Sequence, residues 1–306
     1  MNTSNLNIFN LILPLILAPL LLGIINKTKA FFAGRKGIPL FQAYYDIIKL
    51  FKKGSVYSKT TTSLFKIAPL IVFVCTLFAI AIIPLLKGTA ILAFEGDLFL
   101  FAYILGLSRF FTIVAALDTG SSFEGMGGSR EGLYLTLSEP VLFISLAVLA
   151  IITQSLSFSS IASVLDTEVW LNNIPSLFLV FITLFIILLI ENSRIPFDDP
   201  ATHLELTMIH EVMVLDYSGI DYGLILYSIA LKLWLFISLI LTMLPKISST
   251  GLWFIDAAET IILIFTISVL IGIIESVIAR ARFPKIPKLI VGSGILAATA
   301  LVLVLW

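Results

Sequence analysis

Residues 174–211 read IPSLFLVFITLFIILLIENSRIPFDDPATHLELTMIHE, an apolar run followed at once by a dense polar cluster. The first half is long enough to cross a bilayer as a helix. The second half, from Glu191 to Glu211, holds five of the chain's 19 carboxylates, both of its histidines and one arginine. Titratable groups beside hydrocarbon are costly and usually line a water-filled path or meet a partner. The stretch favours proton handling over its alternatives, a metal site or a salt-bridged loop.

The composition of the whole chain is that of an all-α integral membrane protein. Hydrophobic residues make up 59% of it and charged residues 12%, and the mean hydropathy is +1.10. The net charge of zero gives no indication of nucleic-acid binding. The single cysteine, Cys75, excludes a disulfide framework or a CxxC metal site, so we expect no metal or cofactor in this chain. No internal repeat is evident, and residues 1–306 are interpreted as one membrane domain.

Runs of about 20 apolar residues predict eight transmembrane helices. They lie at approximately 6–25, 66–86, 97–117, 133–153, 174–193, 222–244, 254–279 and 288–305. The first run is too long for a signal peptide and no basic residue precedes it, so we expect it to be retained.

The distribution of Lys and Arg predicts the orientation. Of the 19 basic residues, 15 fall in loops on one side, while only Lys87 and Lys246 fall on the other. Because cytoplasmic loops carry the excess of basic residues, this pattern places both termini outside. The inner loops at 26–65, 118–132 and 191–221 are then long and polar, which is typical of a face that docks a partner.

Two of these inner loops have patterns of their own. From Phe41 to Phe51 the apolar residues recur at helical spacing, which predicts an amphipathic helix lying in the membrane interface. That helix could contact lipid headgroups alone, or floor a cavity beneath a soluble partner. Residues 118–132 contain five glycines but lack the ending of a P-loop. They are interpreted as a flexible surface loop or as a segment that a partner approaches closely.

The polar cluster itself predicts a short helix. Asp199 followed by Pro200 is typical of a helix start. A helix running from there to about Leu215 would place Asp199, His203 and His210 on one stripe. Arg194 could pair with Glu191, three residues before it.

Six charged residues are singled out inside spans, among them Asp256 and Glu275 near the two ends of the seventh. Lys232 lies roughly 15 Å from the inner end of the sixth span at 1.5 Å per residue, and Arg109 is similarly deep in the third. Glu139 is about two turns inside the fourth span, beside Pro140, and Glu259 lies toward the outer end of the seventh. For each one alone, a structural ion pair is as good an explanation as transport, but a series from the inner loop to the outer leaflet favours transport.

Arg-Ile-Pro-Phe-Asp at 194–198 resembles the matching loop of complex I subunit 1. The segments Gly34-Arg-Lys-Gly-Ile-Pro39 and Ala281-Arg-Phe-Pro284 are similar to other parts of that family, and eight helices also agree. Quinone-reducing members usually continue with a Glu-rich run after Pro-Phe-Asp. Here the continuation through His203 and His210 looks like the membrane anchor of group 4 membrane-bound nickel–iron hydrogenases, including the formate hydrogenlyase type.

The resemblance implies a membrane subunit of an oxidoreductase complex that is not catalytic alone. It would lie in a prokaryotic cytoplasmic membrane, dock a soluble arm and couple electron transfer to proton or sodium translocation. The expected partners are hydrogenase-like large and small subunits, an iron–sulfur subunit and antiporter-like membrane subunits. The iron–sulfur clusters and the nickel–iron centre would belong to those partners.

The residues that we assign to these roles form two sets. The predicted proton path comprises Arg109, Glu139, Glu191, Asp198, Asp199, His203, Glu205, His210, Glu211, Lys232 and Glu259. The predicted docking residues are Arg35, Lys36, Asp46, Arg130 and Arg194. Two alternatives stay open at this point. One is a quinone-reducing subunit 1, and the other is a stand-alone transporter with a midplane site at Lys232, which the lack of a repeat disfavours.

Overall fold

The computed structural model describes residues 3–85, 89–198, 208–245 and 253–306, with side chains described from residue 10 and from residue 255 in the first and last ranges. Within these ranges the chain is helical and has no strand. Its long helices are α1 (Thr3–Phe32), α3 (Ser63–Ile82), α4 (Asp97–Asp118), α5 (Ser122–Thr153), α8 (Ile174–Glu191), α10 (Gly219–Met243), α11 (Trp253–Val277) and α12 (Ile286–Leu305). The short helices are α2 (Gln42–Phe51), α6 (Phe158–Val164), α7 (Thr167–Asn172) and α9 (His210–Met213), with a 3-10 turn at Phe283–Lys285.

In the described ranges, eight helices are long and apolar enough to cross a membrane. This confirms the predictions of an all-helical chain and of eight spanning helices. Most predicted bounds agree to within four residues, because long apolar runs mark helices clearly. The first span is an exception, since α1 continues through Lys27 and Lys29 to Phe32.

The larger error concerns α5, which begins at Ser122 and not at about residue 133. The glycine-rich segment is therefore mostly the first three turns of a helix, and a flexible loop over 122–132 is wrong. Its glycines allow close packing against another part of the same chain. A Cβ on Gly127 would lie 2.3 Å from Val212 Cγ1 and 2.9 Å from the Ile209 carbonyl oxygen. The close backbone approach that we predicted from the glycines thus occurs between two segments of this chain.

Helix α10 is the most buried of the eight long helices, and it packs against α1, α2, α3, α8 and α11. Trp234 and Phe236 on it are 1% exposed. The Tyr227 hydroxyl donates to the Leu15 carbonyl oxygen, at 2.5 Å, which links α10 to α1. Because α10 is central, a charged residue on it is surrounded by protein.

A helix at Gln42–Phe51 confirms the helical pattern from Phe41 onward, while its location in the membrane interface stays a prediction. It packs on α10, where a Cβ on Gly223 would lie 3.0 Å from the Phe51 ring. The segment after it crosses the start of α10 at Gly219. That residue has a φ of +55°, and a Cβ there would lie 2.3 Å from the Gly54 carbonyl oxygen. Only glycine fits this crossing.

Candidate functional site

Four of the predicted residues meet in one buried network, named here the central cluster: Arg109, Glu139, Glu191 and Lys232. Arg109 Nη1 donates to Glu139 Oε1 at 2.9 Å, and Arg109 Nη2 pairs with Glu191 Oε1. Lys232 Nζ lies 3.0 Å from Glu191 Oε2. The Glu191 side chain is 1% exposed, and that of Arg109 is 6% exposed. Two cations and two carboxylates therefore neutralise one another inside the helix bundle.

The lengths of the helices explain why this network forms. Glu191 is the last residue of α8, an 18-residue helix, whereas the neighbouring α5 has 32 residues. At 1.5 Å per residue these lengths are about 27 and 48 Å, so α8 stops while α5 continues. Arg109 lies roughly 18 Å along α4, and Lys232 roughly 20 Å along α10. The short α8 thus delivers its terminal carboxylate to the level of the two cations.

A cavity adjoins the central cluster. Its wall comes from α3, α4, α5, α10 and the segment around α9, and its polar lining includes Thr76, Ser108, Arg109, Thr112, Glu131, His210, Tyr217, Ser228 and Lys232. About 60 Å³ is open to the centres of water molecules, and one water needs roughly 10–15 Å³ by that measure. The cavity therefore has room for a few waters beside Lys232.

Glu131 faces this cavity, although it was not among the site residues predicted from the sequence. In the described part of the chain it has no ion-pair partner within 4 Å. A second, smaller cavity is lined by both Glu131 and Asp198. Glu131 therefore lies between the central cavity and the polar segment that follows α8. Glu131 and Glu139 are eight residues apart on the same helix. Their common location would have been apparent only if the predicted span had begun at Ser122 and not at about residue 133.

A second charged group, named here the inner cluster, comprises Lys29, Arg194, Asp198, Glu275 and Arg280. Glu275 lies 2.9 Å from Lys29 Nζ and 3.4 Å from Arg194 Nη1. Arg280 Nη2 lies 2.8 Å from Asp198 Oδ1. Asp198 Oδ2 also accepts from the backbone N–H groups of Ile209 and His210, at 3.2 and 3.1 Å. This cluster joins the ends of α1 and α11 to the connection between α8 and α10.

The predicted pairing of Arg194 with Glu191 is wrong. Ser193 has a φ of +49°, which turns the chain sharply after α8, and Arg194 then reaches Glu275 on α11. Arg194 is 5% exposed. Its predicted role in docking stays a prediction.

His210 stands between the two clusters. Its backbone N–H binds Asp198, and its side chain lines the central cavity. Burial, and next the charge of Lys232, lower the pKa of His210 to about 4. The imidazole is therefore neutral near pH 7, and its buried Nε2 has no hydrogen-bond partner among the described residues. A neutral imidazole beside waters can accept one proton and donate another.

The single helix predicted from Asp199 to about Leu215 is wrong in its second half. Met208 and Ile209 are not helical, and α9 spans only His210–Met213. Asp198 binds the two N–H groups at the start of this turn, which stabilises a separate short helix. Asp199, His203 and Glu205 lie outside the described residues. Glu211 is partly buried next to His210.

The other predicted residues take different positions. Glu259 lies near the start of α11, roughly 24 Å along that helix from Glu275. Glu139 is about 17 residues from the start of α5, deeper than expected, because the helix begins earlier. No group of three His, Cys, Asp or Glu within the described ranges could hold a metal ion.

Among the predicted docking residues, Arg35 and Lys36 are exposed. Asp46 accepts from Gln42 Nε2 at 2.8 Å. Arg130 is partly buried, donates to the Met208 carbonyl oxygen at 3.1 Å and lies 4.5 Å from the centre of the Phe283 ring. Arg130 therefore holds the loop before α9 against α5.

Comparison with known proteins shows the family to which the chain belongs. The sequence profile described as NADH dehydrogenase matches residues 5–306. The chain belongs to this NADH dehydrogenase family. The family assignment confirms the resemblance to complex I subunit 1 that Arg194–Asp198 indicated.

Two curated relatives from Escherichia coli (strain K12) are each 32% identical to the chain. Hydrogenase-4 component C aligns over 274 residues, 88% of this chain and 85% of the relative. Formate hydrogenlyase subunit 4 aligns over 215 residues, 70% of this chain and 69% of the relative. These relatives confirm the predicted similarity to hydrogenase and formate hydrogenlyase components.

The fold is shared with a solved structure. A chain of the membrane-bound sulfane sulfur reductase, an archaeal respiratory membrane complex, superposes with a TM-score of 0.84 at 19% identity. The match covers 99% of this family member and 100% of that chain. At this identity the likeness shows a common fold.

Proposed function

We propose that this chain is the membrane subunit of a complex I-like, hydrogenase-type complex in a prokaryotic cytoplasmic membrane. It would couple electron transfer in a soluble arm to proton or sodium translocation without catalysing a reaction alone. Two relatives that are components of a hydrogenase and of a formate hydrogenlyase support the assignment. The observation that carries the mechanism is the buried central cluster beside a cavity with room for water.

The face that carries most basic residues would lie inside and dock the soluble arm. Arg35, Lys36 and Lys53 are exposed there, and positive loops favour the cytoplasmic side. With eight crossings, both termini would then lie outside. Iron–sulfur clusters and a nickel–iron centre are expected in the partner subunits, because this chain has a single cysteine, and Cys75 is buried in α3.

A route for protons can be drawn through described residues. It would lead from Asp198 through the small cavity to Glu131, then through the central cavity to Lys232. From Lys232 the ion pairs continue to Glu191, Arg109 and Glu139. Asp198 is held by Arg280, so the inner end of the route is also charged.

Electrostatic coupling gives this route a mechanism. Two unit charges 10 Å apart interact by about 1.7 kcal/mol at an effective dielectric constant of 20. That energy changes a protonation equilibrium by more than a factor of ten. Protonation of Glu191 would remove the counter-charge of Lys232 and favour loss of the lysine proton to cavity water. A charge change in the arm would therefore propagate as a sequence of proton shifts.

Replacement of Lys232 by Met tests the coupling role, because it keeps the apolar stem and removes the charge. We expect an assembled complex with near-normal electron transfer to artificial acceptors and strongly reduced ion translocation in proteoliposomes. Glu168→Gln, which removes a charge at an exposed position on α7 outside the route, is the control. Intact translocation in Lys232→Met would show that the lysine is not a relay.

Cross-linking tests the docking face. Cysteines at Lys53, Ser122 and Ser129 are all at exposed positions and should cross-link to cluster-bearing subunits in the intact complex. A cysteine at Ser163, exposed at the opposite end of the bundle, should not. If a bulky thiol reagent labels all four cysteines equally in the intact complex, the inner face is not covered by a soluble arm and the docking proposal is contradicted.

A quinone-reducing subunit is the second candidate, favoured by the mostly apolar cavity in which the Tyr217 side chain and the neutral His210 imidazole offer polar groups. Quinone reduction by the purified complex without hydrogen production would select this alternative. Membership in a family that includes subunits of larger complexes disfavours a stand-alone transporter.

A further inference from the structure

Glu139 is unusual among the buried charges because its side chain is 44% exposed on the outside of the helix bundle. Counted from Thr153, it lies roughly 21 Å along α5, within the roughly 30 Å that a spanning helix needs to cross the hydrocarbon. A glutamate side chain is too short to reach either membrane surface from there. An ionised carboxylate facing hydrocarbon at this depth is unfavourable. Something polar must therefore cover it.

The surroundings of Glu139 form a defined surface, named here the α4–α5 face. On α4 it comprises Tyr103, Gly106, Leu107 and Phe110, and on α5 it comprises Thr136, Glu139 and Phe143. The rings of Tyr103 and Phe143 are 6.5 Å apart, and a Cβ on Gly106 would lie 3.6 Å from Glu139 Oε1. Tyr103 is 71% exposed, Phe110 59% and Leu107 47%. Glu139 thus lies in the groove between α4 and α5, with Tyr103, Leu107 and Phe110 on one side and Thr136 and Phe143 on the other.

The charges specify what should bind this face. Glu139 Oε1 accepts from Arg109, which also pairs with Glu191. Among the described residues, Glu139 Oε2 has no partner. This exposed, negatively charged oxygen is an acceptor that a cationic side chain would match.

We propose that the α4–α5 face binds a transmembrane helix of another membrane subunit, which places a cationic side chain against Glu139. The exposed apolar side chains of α4 and the Phe143 ring fit a helix that otherwise faces lipid, and the carboxylate fixes its depth. The inference rests on the proposed function in one respect: it makes Glu139 the point where the central cluster passes charge to a neighbouring subunit.

Site-specific photo-cross-linking in the native membrane complex tests the contact. A photoreactive residue at Leu107 or Thr136, on the two sides of the groove, should yield an adduct with another membrane subunit. Mass spectrometry should map that adduct to a span that carries Lys or Arg. Adducts with lipid only, or with a second copy of this chain, would overturn the proposal.

Substitution of Glu139 then tests recognition. Glu139→Leu should lower the cross-link yield from Leu107 by about tenfold, as expected when a charged hydrogen bond is lost. Glu168→Leu, at an exposed position on α7, should leave the yield unchanged. An unchanged cross-link yield in Glu139→Leu would contradict recognition through the carboxylate. If that variant does not assemble, the adduct formed from Leu107 or Thr136 in the chain with Glu139 intact still shows whether the contact exists. Because the adduct is scored without any transport assay, intact translocation in Lys232→Met can overturn the proposed coupling role while this contact stands.

Discussion

The central and inner clusters use the same residue types in different surroundings. In the central cluster, Glu191 is 1% exposed and binds two cations beside a cavity. In the inner cluster, Glu275 is 0% exposed and also binds two cations, but it does not line the cavity beside Lys232. Buried pairs without water are difficult to change in charge, whereas pairs beside water can exchange protons. The contrast indicates that the ion pairs of Glu275 hold the fold, whereas the central cluster can change protonation.

The substitution Glu275→Gln should give the largest loss of stability. It leaves Arg194 and Lys29 without their shared carboxylate, and breaking a buried pair costs about 3–5 kcal/mol. The midpoint of thermal unfolding in detergent and the yield of assembled complex should both fall. Glu95→Gln makes the same change at an exposed position and should behave like the unaltered chain. Equal yields for the two variants would remove the structural role assigned to the inner cluster.

Gly127→Ala should disturb the segment that joins the two clusters. The added methyl would lie 2.3 Å from Val212, and overpacking of this kind costs about 1–3 kcal/mol. Limited proteolysis near residues 208–214 should become faster. Gly125→Ala is the matched control, because its nearest described neighbour would lie 3.9 Å away. If the Gly127→Ala and Gly125→Ala variants are cleaved near residues 208–214 at the same rate, the packing of α5 against α9 does not require a glycine at position 127.

His210 should make stability depend on pH in a defined window. Its pKa is lowered from 6.5 to about 4 in the folded chain, so the unfolded chain takes up a proton at higher pH than the folded one. Its contribution to stability is complete above pH 6.5 and is lost as the pH falls toward 4. The loss at pH 5 should be on the order of 1–2 kcal/mol. His210→Gln should reduce the difference between unfolding midpoints at pH 7.5 and pH 5, and an unchanged difference would argue against a buried neutral imidazole.

The spans were predictable because a run such as 174–190 has one physical solution in a membrane. The start of α5 was not, because glycines disfavour a helix locally and only the contact of Gly127 with Val212 and Ile209 explains them. The turn at Ser193 likewise depends on contacts of the following residues with α11. Local propensity cannot anticipate such tertiary contacts.

The members of the central cluster were predicted one by one, since a charge inside a span is informative by itself. Their pairing was not predictable. Arg109 is 30 residues from Glu139 and 82 from Glu191 in the sequence, and the pairing depends on α8 ending at the level of the two cations. Glu131 was missed because the segment around it was interpreted as a loop.

The comparison of the two clusters is tested most directly by the same substitution at both buried glutamates. The measurement is the number of ions translocated per electron pair in proteoliposomes, normalised to the amount of assembled complex. We predict that Glu191→Gln keeps electron transfer but loses most translocation, whereas Glu275→Gln gives less complex with an unchanged ratio. An unchanged ratio in Glu191→Gln, or a ratio that falls equally in both variants, would contradict the assignment of coupling to the central cluster.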